Sequence, residues 1–161
     1  MSSSAALVQD FGPSYLQARI HAEIALAKHI GIVVEQADDA NLILSAPLQS
    51  NANHKNTAFG GSLYCVAVLT GWGWATRYLG LHGIPADAVV QQSNIEFLAP
   101  VHGELRAHLI PPAAARIDKF RKMLERAGRG RIQLSVELRS AAQPAARFDG
   151  MFAAALRARS S

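Results

Sequence analysis

Between Asn56 and Thr76 the chain carries no charged side chain, and the positions are mostly apolar. The run opens on the pair Gly60-Gly61 and closes before Gly83 and Pro85, which predicts one long helix from Gly60 to about His82. A helix that is apolar all round is a buried one. Upstream, Leu16, Ile20, Ile24 and Ala27 recur at helical spacing behind Pro13, with Arg19, Glu23 and Lys28 between them. They predict a helix that Gly31 ends. Ile32–Gln36 and Leu42–Ala46 flank the turn Asp38-Asp39-Ala40-Asn41 and read as a hairpin. Downstream, Ala88–Leu98 and Glu104–Ile110 read as strands stopped by Pro100 and by Pro111-Pro112. Ala113–Ala127 reads as a short amphipathic helix with Ile117, Phe120 and Leu124 on one side, broken by Gly128 and Gly130. Ile132–Leu138 alternates cleanly, 141–144 turns, and Arg147–Leu156 forms the last strand.

The inventory is helix, two strands, long apolar helix, then four strands with a small helix inserted. An α+β fold satisfies it, with one antiparallel sheet wrapped around the apolar helix. The 161 residues suit a single domain, residues 1–10 forming a loose tail.

Half of the chain is hydrophobic, enough for a real core, and the formal charge is +4. The excess is local. Residues 116–131 hold seven basic and two acidic side chains, +5, so the remainder is −1. A single cysteine, Cys65, rules out an internal disulfide, and the N-terminus lacks the basic start and apolar run of a signal peptide. Both point to the cytoplasm. The apolar run is long enough to raise the question of a membrane span. Its glycines and threonines, its polar first turn and the lack of a second such run argue against one. No His, Cys and Asp residues have metal-ligand spacing, and no cofactor is implied. Cys65 reads as a buried structural thiol, and Trp72 and Trp74 as core.

The chemistry concentrates just before and at the start of the long helix. Asn51-Ala52-Asn53-His54-Lys55-Asn56-Thr57-Ala58-Phe59 is a polar loop running into Gly60-Gly61. A helix starting there points unpaired backbone N–H groups and its positive end outward, and glycine lets a ligand come close. Asn53 and Asn51 supply carboxamides at the same spot, unless they only build the loop through backbone bonds. His54 is a candidate base, or an inert exposed histidine. Thr57, Phe59 and Tyr64 are candidate lining. Gln92 and Ser93, on the strand crossing near the helix start, are candidates for positioning substrate or water.

Several strings resemble one group of hot-dog proteins. They are Pro47-Leu48, Asn51-x-Asn53, Thr57-x-Phe59-Gly60-Gly61-Ser62-Leu63-Tyr64, Leu69-Thr70-Gly71-Trp72-Gly73, Ile95-x-Phe97-Leu98-x-Pro100-Val101 and Phe148-x-Gly150. The group was first labelled thioesterases and later understood as malonyl-acyl carrier protein decarboxylases of fatty acid synthesis. The resemblance runs from about Ile32 to Leu156 and is to the stand-alone form. It implies a hot-dog fold, a homodimer with sites at the subunit interface, with further pairing to a tetramer left open, and a catalytic asparagine before the glycine pair. By position that is Asn53.

Hot-dog thioesterases generally carry a carboxylate about two turns into the central helix, where this chain has Val68. Neither Asp nor Glu occurs between Asp39 and Asp87. A hydrolase without its base loses about 10²–10⁴ in rate. Decarboxylation of a malonyl thioester needs no such base, only stabilisation of the enolate oxygen, which Gly60, Gly61 and Asn53 would provide. An acyl-CoA or acyl-carrier thioesterase is the enzyme alternative, and a non-catalytic acyl-thioester binding module the other. The partner is then acyl carrier protein or coenzyme A. Arg116, Lys119, Arg121, Lys122 and Arg129 are candidates for docking it, against the plain reading of a solvated helix face. One aromatic, Phe120, among these charges and no nucleic-acid motif argue against a nucleic acid partner.

Overall fold

The computed structural model describes residues 9–159, so residues 1–8 of the expected tail lie outside the described residues. The expected first helix is two helices, α1 (Pro13–Glu23) and α2 (Ala25–Ile30), parted at Ile24, whose backbone is extended (φ −125°, ψ 97°). Leu16 and Ile20 bury from α1, Ala27 and Ile30 from α2. Both short helices thus turn an apolar side inward, and hydrophobic spacing alone reads the same across the break. Gly31 ends α2 at φ 75°, in the left-handed region.

The hairpin forms as expected, β1 (Val33–Ala37) against β2 (Leu42–Ala46). Asp38 holds the turn by accepting the N–H groups of Ala40 and Asn41, both at 2.8 Å. Then come α3 (Gly60–Leu81), β3 (Ala86–Phe97), β4 (Leu105–Ile110), α4 (Ala114–Ala127), β5 (Arg129–Ser140) and β6 (Gln143–Leu156). The strands form one antiparallel six-stranded sheet in the order β1-β2-β4-β5-β6-β3. This is the hot-dog arrangement, with α3 held in the sheet's concave face.

The last two strands are longer than alternation predicts. β5 begins at Arg129, directly after Gly128 caps α4 in the left-handed region, and Gly130 is a strand residue, not a breaker. A Cβ at residue 130 would stand 3.0 Å from the Phe120 carbonyl oxygen. The glycine therefore serves the close approach of α4 to the sheet. Pro144 lies within β6, near its start, where a missing N–H costs least.

Burial follows from α3's composition. Val66, Ala67, Thr70 and Ala75 are fully buried, and Thr70 returns its hydroxyl to the Val66 carbonyl at 2.7 Å, so no polar group is stranded there. Trp72 and Trp74 are half-buried at the margin of the core. At the far end of α3, α4 buries Phe120 and Leu124, and the Phe120 ring lies 5.9 Å from that of Tyr78. Among the described residues no helix is long and apolar enough to cross a membrane.

A glycine sets the spacing between α3 and β6. A Cβ at residue 71 would meet the Phe152 ring at 2.4 Å. Gly71→Ala should lower stability by about 1–3 kcal/mol through overpacking. Thermal unfolding checks this, with Phe152→Leu in the same chain expected to recover part of the loss. An unchanged midpoint would show that the ring moves aside freely.

Candidate active site

The loop before α3 closes on itself. Ala52 and Ala58 form an isolated antiparallel bridge, and the Asn53 N–H donates to the Thr57 carbonyl at 2.8 Å. Asn56 turns the tip at φ 57°, a conformation asparagine tolerates. Phe59 N–H donates to the Asn51 carbonyl and Ala58 N–H to that of Val101, at 2.8 and 2.9 Å. The loop is thereby tied to the segment after β3.

Asn53 sits at the centre of this loop. Its Oδ1 accepts the backbone N–H of Lys55 at 2.9 Å and of Thr57 at 3.2 Å, which fixes which way the amide faces. Its Nδ2 donates to Thr57 Oγ1 at 2.9 Å. A primary amide has two N–H donors, so one is left without a partner among the described residues. Building the loop and offering a donor are therefore compatible roles for Asn53.

Asn53, Thr57, Gly60 and Phe97 line one open cleft of about 400 Å³, completed by Ala58, Leu63 and the segment Leu98–Val101. Gly60 is the first residue of α3. No side chain caps that helix and no acidic residue stands in its first turn, so its positive end faces the cleft uncompensated. None of the lining residues is a carboxylate. The stretch Leu98–Val101 was not among the expected site residues. The sequence signal for it was the Phe97-Leu98-x-Pro100-Val101 string, which marked family likeness without saying where the segment would lie.

Other expected residues are placed differently. Gly61 is not among the lining residues: a Cβ there would meet the Phe59 ring at 2.4 Å, so a half-exposed phenyl covers it. Phe97 lies over Gly60 in the same manner, at 3.2 Å. Two aromatic rings thus crowd the two glycines. Asn51 is 3% exposed, and its Nδ2 donates to the Ile30 and Pro47 carbonyls, both at 2.8 Å. It pins the end of α2 to the end of β2 and faces away from the cleft. His54 is exposed at the loop tip, away from the cleft. Tyr64 and Ser93 share a hydrogen bond of 2.7 Å that joins α3 to β3, and Gln92 is exposed. Cys65 is half-buried, not buried as expected, and desolvation raises its thiol pKa.

The basic segment lies at the opposite end of α3, where α4 packs on Tyr78. Arg116 donates to the Gln133 carbonyl at 3.1 Å and Arg121 reaches Asp118 and Glu125 at 3.9 and 3.7 Å. Among the described residues, Lys119, Lys122 and Arg129 have no acidic partner. A larger trough, about 710 Å³, lies at that end of the molecule and shares no residue with the cleft.

A family described as "Putative thioesterase (yiiD_Cterm)" matches residues 13–156. A crystal structure of a protein of unknown function from Chlorobaculum tepidum TLS is 31% identical over 91% of this chain and 98% of its own, with TM-score 0.87. The putative thioesterase from Shewanella oneidensis is 28% identical over 90% of this chain and 97% of its own, TM-score 0.80. A Pseudomonas aeruginosa protein of unknown function, 19% identical over 90% of this chain and 97% of its own, shares the fold at TM-score 0.73.

The raised thiol pKa has a measurable consequence. Raising it leaves less thiolate at neutral pH, and the thiolate is the reactive form. Iodoacetamide should therefore modify Cys65 in the folded protein several-fold more slowly than in urea at pH 7.5, the rate rising only as pH passes the ordinary thiol range. Equal rates folded and unfolded would contradict the desolvation.

Proposed function

The chain belongs to the yiiD_Cterm family, and from that membership and the cleft's donors we propose that it decarboxylates a malonyl thioester, as of acyl carrier protein. Its relatives support acyl-thioester chemistry in general. The observation carrying the finer reading is a cleft that joins the start of α3 to a free carboxamide donor without any carboxylate in its lining. Breaking the bond between the malonyl carboxylate and the α-carbon releases CO₂ and leaves an enolate. Its oxygen takes up the negative charge, and a proton from water then gives the acetyl thioester. The α3 start and Asn53 Nδ2 stabilise that oxygen, and one such donor is worth about 10²–10³ in rate. A carboxylate nearby would repel the malonyl group.

The likeness to the Shewanella oneidensis thioesterase supports a second reading, hydrolysis of the thioester. Here Asn53 would hold the attacking water; His54 and Gln92, the other residues expected to hold it, do not line the cleft. Binding without turnover is the third. Product analysis separates them. With malonyl thioester, acetyl thioester and CO₂ are expected. Free thiol would show hydrolysis, and neither product would reduce the site to a binding module. Asn53→Ala should cut kcat for CO₂ release by about 10²–10³ with a smaller effect on KM. Unchanged turnover would remove Asn53 from the chemistry.

We also propose that the protein pairs through β3. This strand is an edge of the sheet, twelve residues long, with Val89, Val90 and Phe97 exposed at 61%, 37% and 53%. A long edge left open, its backbone unpaired on one side, invites another strand. Antiparallel pairing of two β3 edges would cover it. Sedimentation should show a dimer, and Val90→Lys should shift it toward monomer. A monomeric wild-type chain would overturn the pairing.

A further inference from the structure

The floor of the trough at the α4 end lies on the sheet face turned away from α3, while Met123, Gly130 and Ala154 bring its lining round to the α3 side. Phe152 and Ile132 are paired neighbours, and the Phe152 ring points at Gly71 of α3. Arg131 and Ala153, one position along on the same strands, therefore point the opposite way. The floor is Ala153 and Ala155 of β6, and the walls are Val89 of β3 on one side and Arg129 and Arg131 of β5 on the other. β3 and β5 both flank β6. The walls thus stand two strand spacings apart, about 9.5 Å. An α-helix with its side chains is about 10–12 Å across. Two alanines between longer neighbours make a groove one helix wide.

The charge around it is one-sided. Arg129 and Arg131 have no acidic partner among the described residues, and neither do Lys119, Lys122 and Arg126 of α4. These three lie at i, i+3 and i+7 on one helix stripe that borders the trough through Met123. Asp87, the trough's acid, is already paired with Arg157 at 2.8 Å. The cations are strung across a helix and a strand; they do not converge on one point as donors to a single phosphate would. A second copy seated here by symmetry would set these cations against one another.

We infer that this trough, with the α4 stripe beside it, docks an acidic amphipathic helix of the protein that carries the acyl thioester. Apolar residues of that helix rest on the alanines, Val89 and Met123, and its carboxylates meet Arg126, Arg129 and Arg131. The inference rests on the acyl-thioester reading above.

The test uses the whole protein and an acidic acyl carrier protein as probe. Calorimetry with carrier bearing no acyl group reads docking apart from turnover. Binding should weaken at least ten-fold in the double variant Arg129→Glu, Arg131→Glu, and should fall with added salt in the wild type. Equal binding by both proteins would overturn the docking, whatever reaction the enzyme performs. In turnover, the same variant should raise KM for the carrier thioester and leave a small pantetheine thioester unaffected. A folded variant, by its unchanged thermal midpoint, that is equally impaired on both thioesters would overturn the assignment. Failure of the wild type on every thioester would instead overturn the functional reading, with calorimetry still deciding the docking.

Discussion

A helix that cannot face water governs this molecule. α3 has twelve buried residues among its 22, and only Arg77 is charged. Left exposed, such a segment would lose roughly 1.5–3 kcal/mol for each large apolar side chain. The sheet's curvature and the α1, α2 and α4 covers follow from that cost. So do the contacts at Gly71 and Gly73, where a Cβ would meet Phe152 at 2.4 Å and Leu16 at 3.3 Å. The sheet can wrap this closely because the helix is slim where the largest side chains press.

The same burial leaves one end of α3 open. The C-terminal end is covered by α4 through Phe120, while the N-terminal end emerges at Gly60 with no capping side chain. Tertiary packing decides which helix end is left open, and the helix dipole then decides what kind of charge it welcomes. The loop from Asn51 to Phe59 is braced accordingly. Asn51 anchors its base inside the protein, and Asn53 organises its tip and holds one amide hydrogen in reserve. Two neighbouring asparagines of identical chemistry thus take different tasks because one points inward and the other outward.

Charge is divided along the same axis. The cleft carries no ionised side chain, so the helix end acts there without competition. The surplus cations gather about α4 and the first residues of β5, at the far end. That separation keeps a strong positive field out of the cleft and concentrates it at the other end.

The element order, the single apolar helix, the hairpin, the amphipathic α4 and the Gly-Gly helix start were all legible in the residues. Each depends on local periodicity or on a breaker at a known place. The break at Ile24 was not, because two short helices burying the same stripe share the spacing of one. Nor were the strand role of Gly130, the half-burial of Cys65, or the cover that Phe59 gives Gly61, since each depends on what another element brings near. The sequence by itself determined that an apolar helix would begin at a glycine pair behind an asparagine loop. Only the tertiary structure decided that Asn51 turns inward, that Leu98–Val101 completes the cleft, and that the basic segment stands away from it. Local pattern records a residue's neighbours along the chain, whereas a site is made by neighbours that folding supplies from elsewhere.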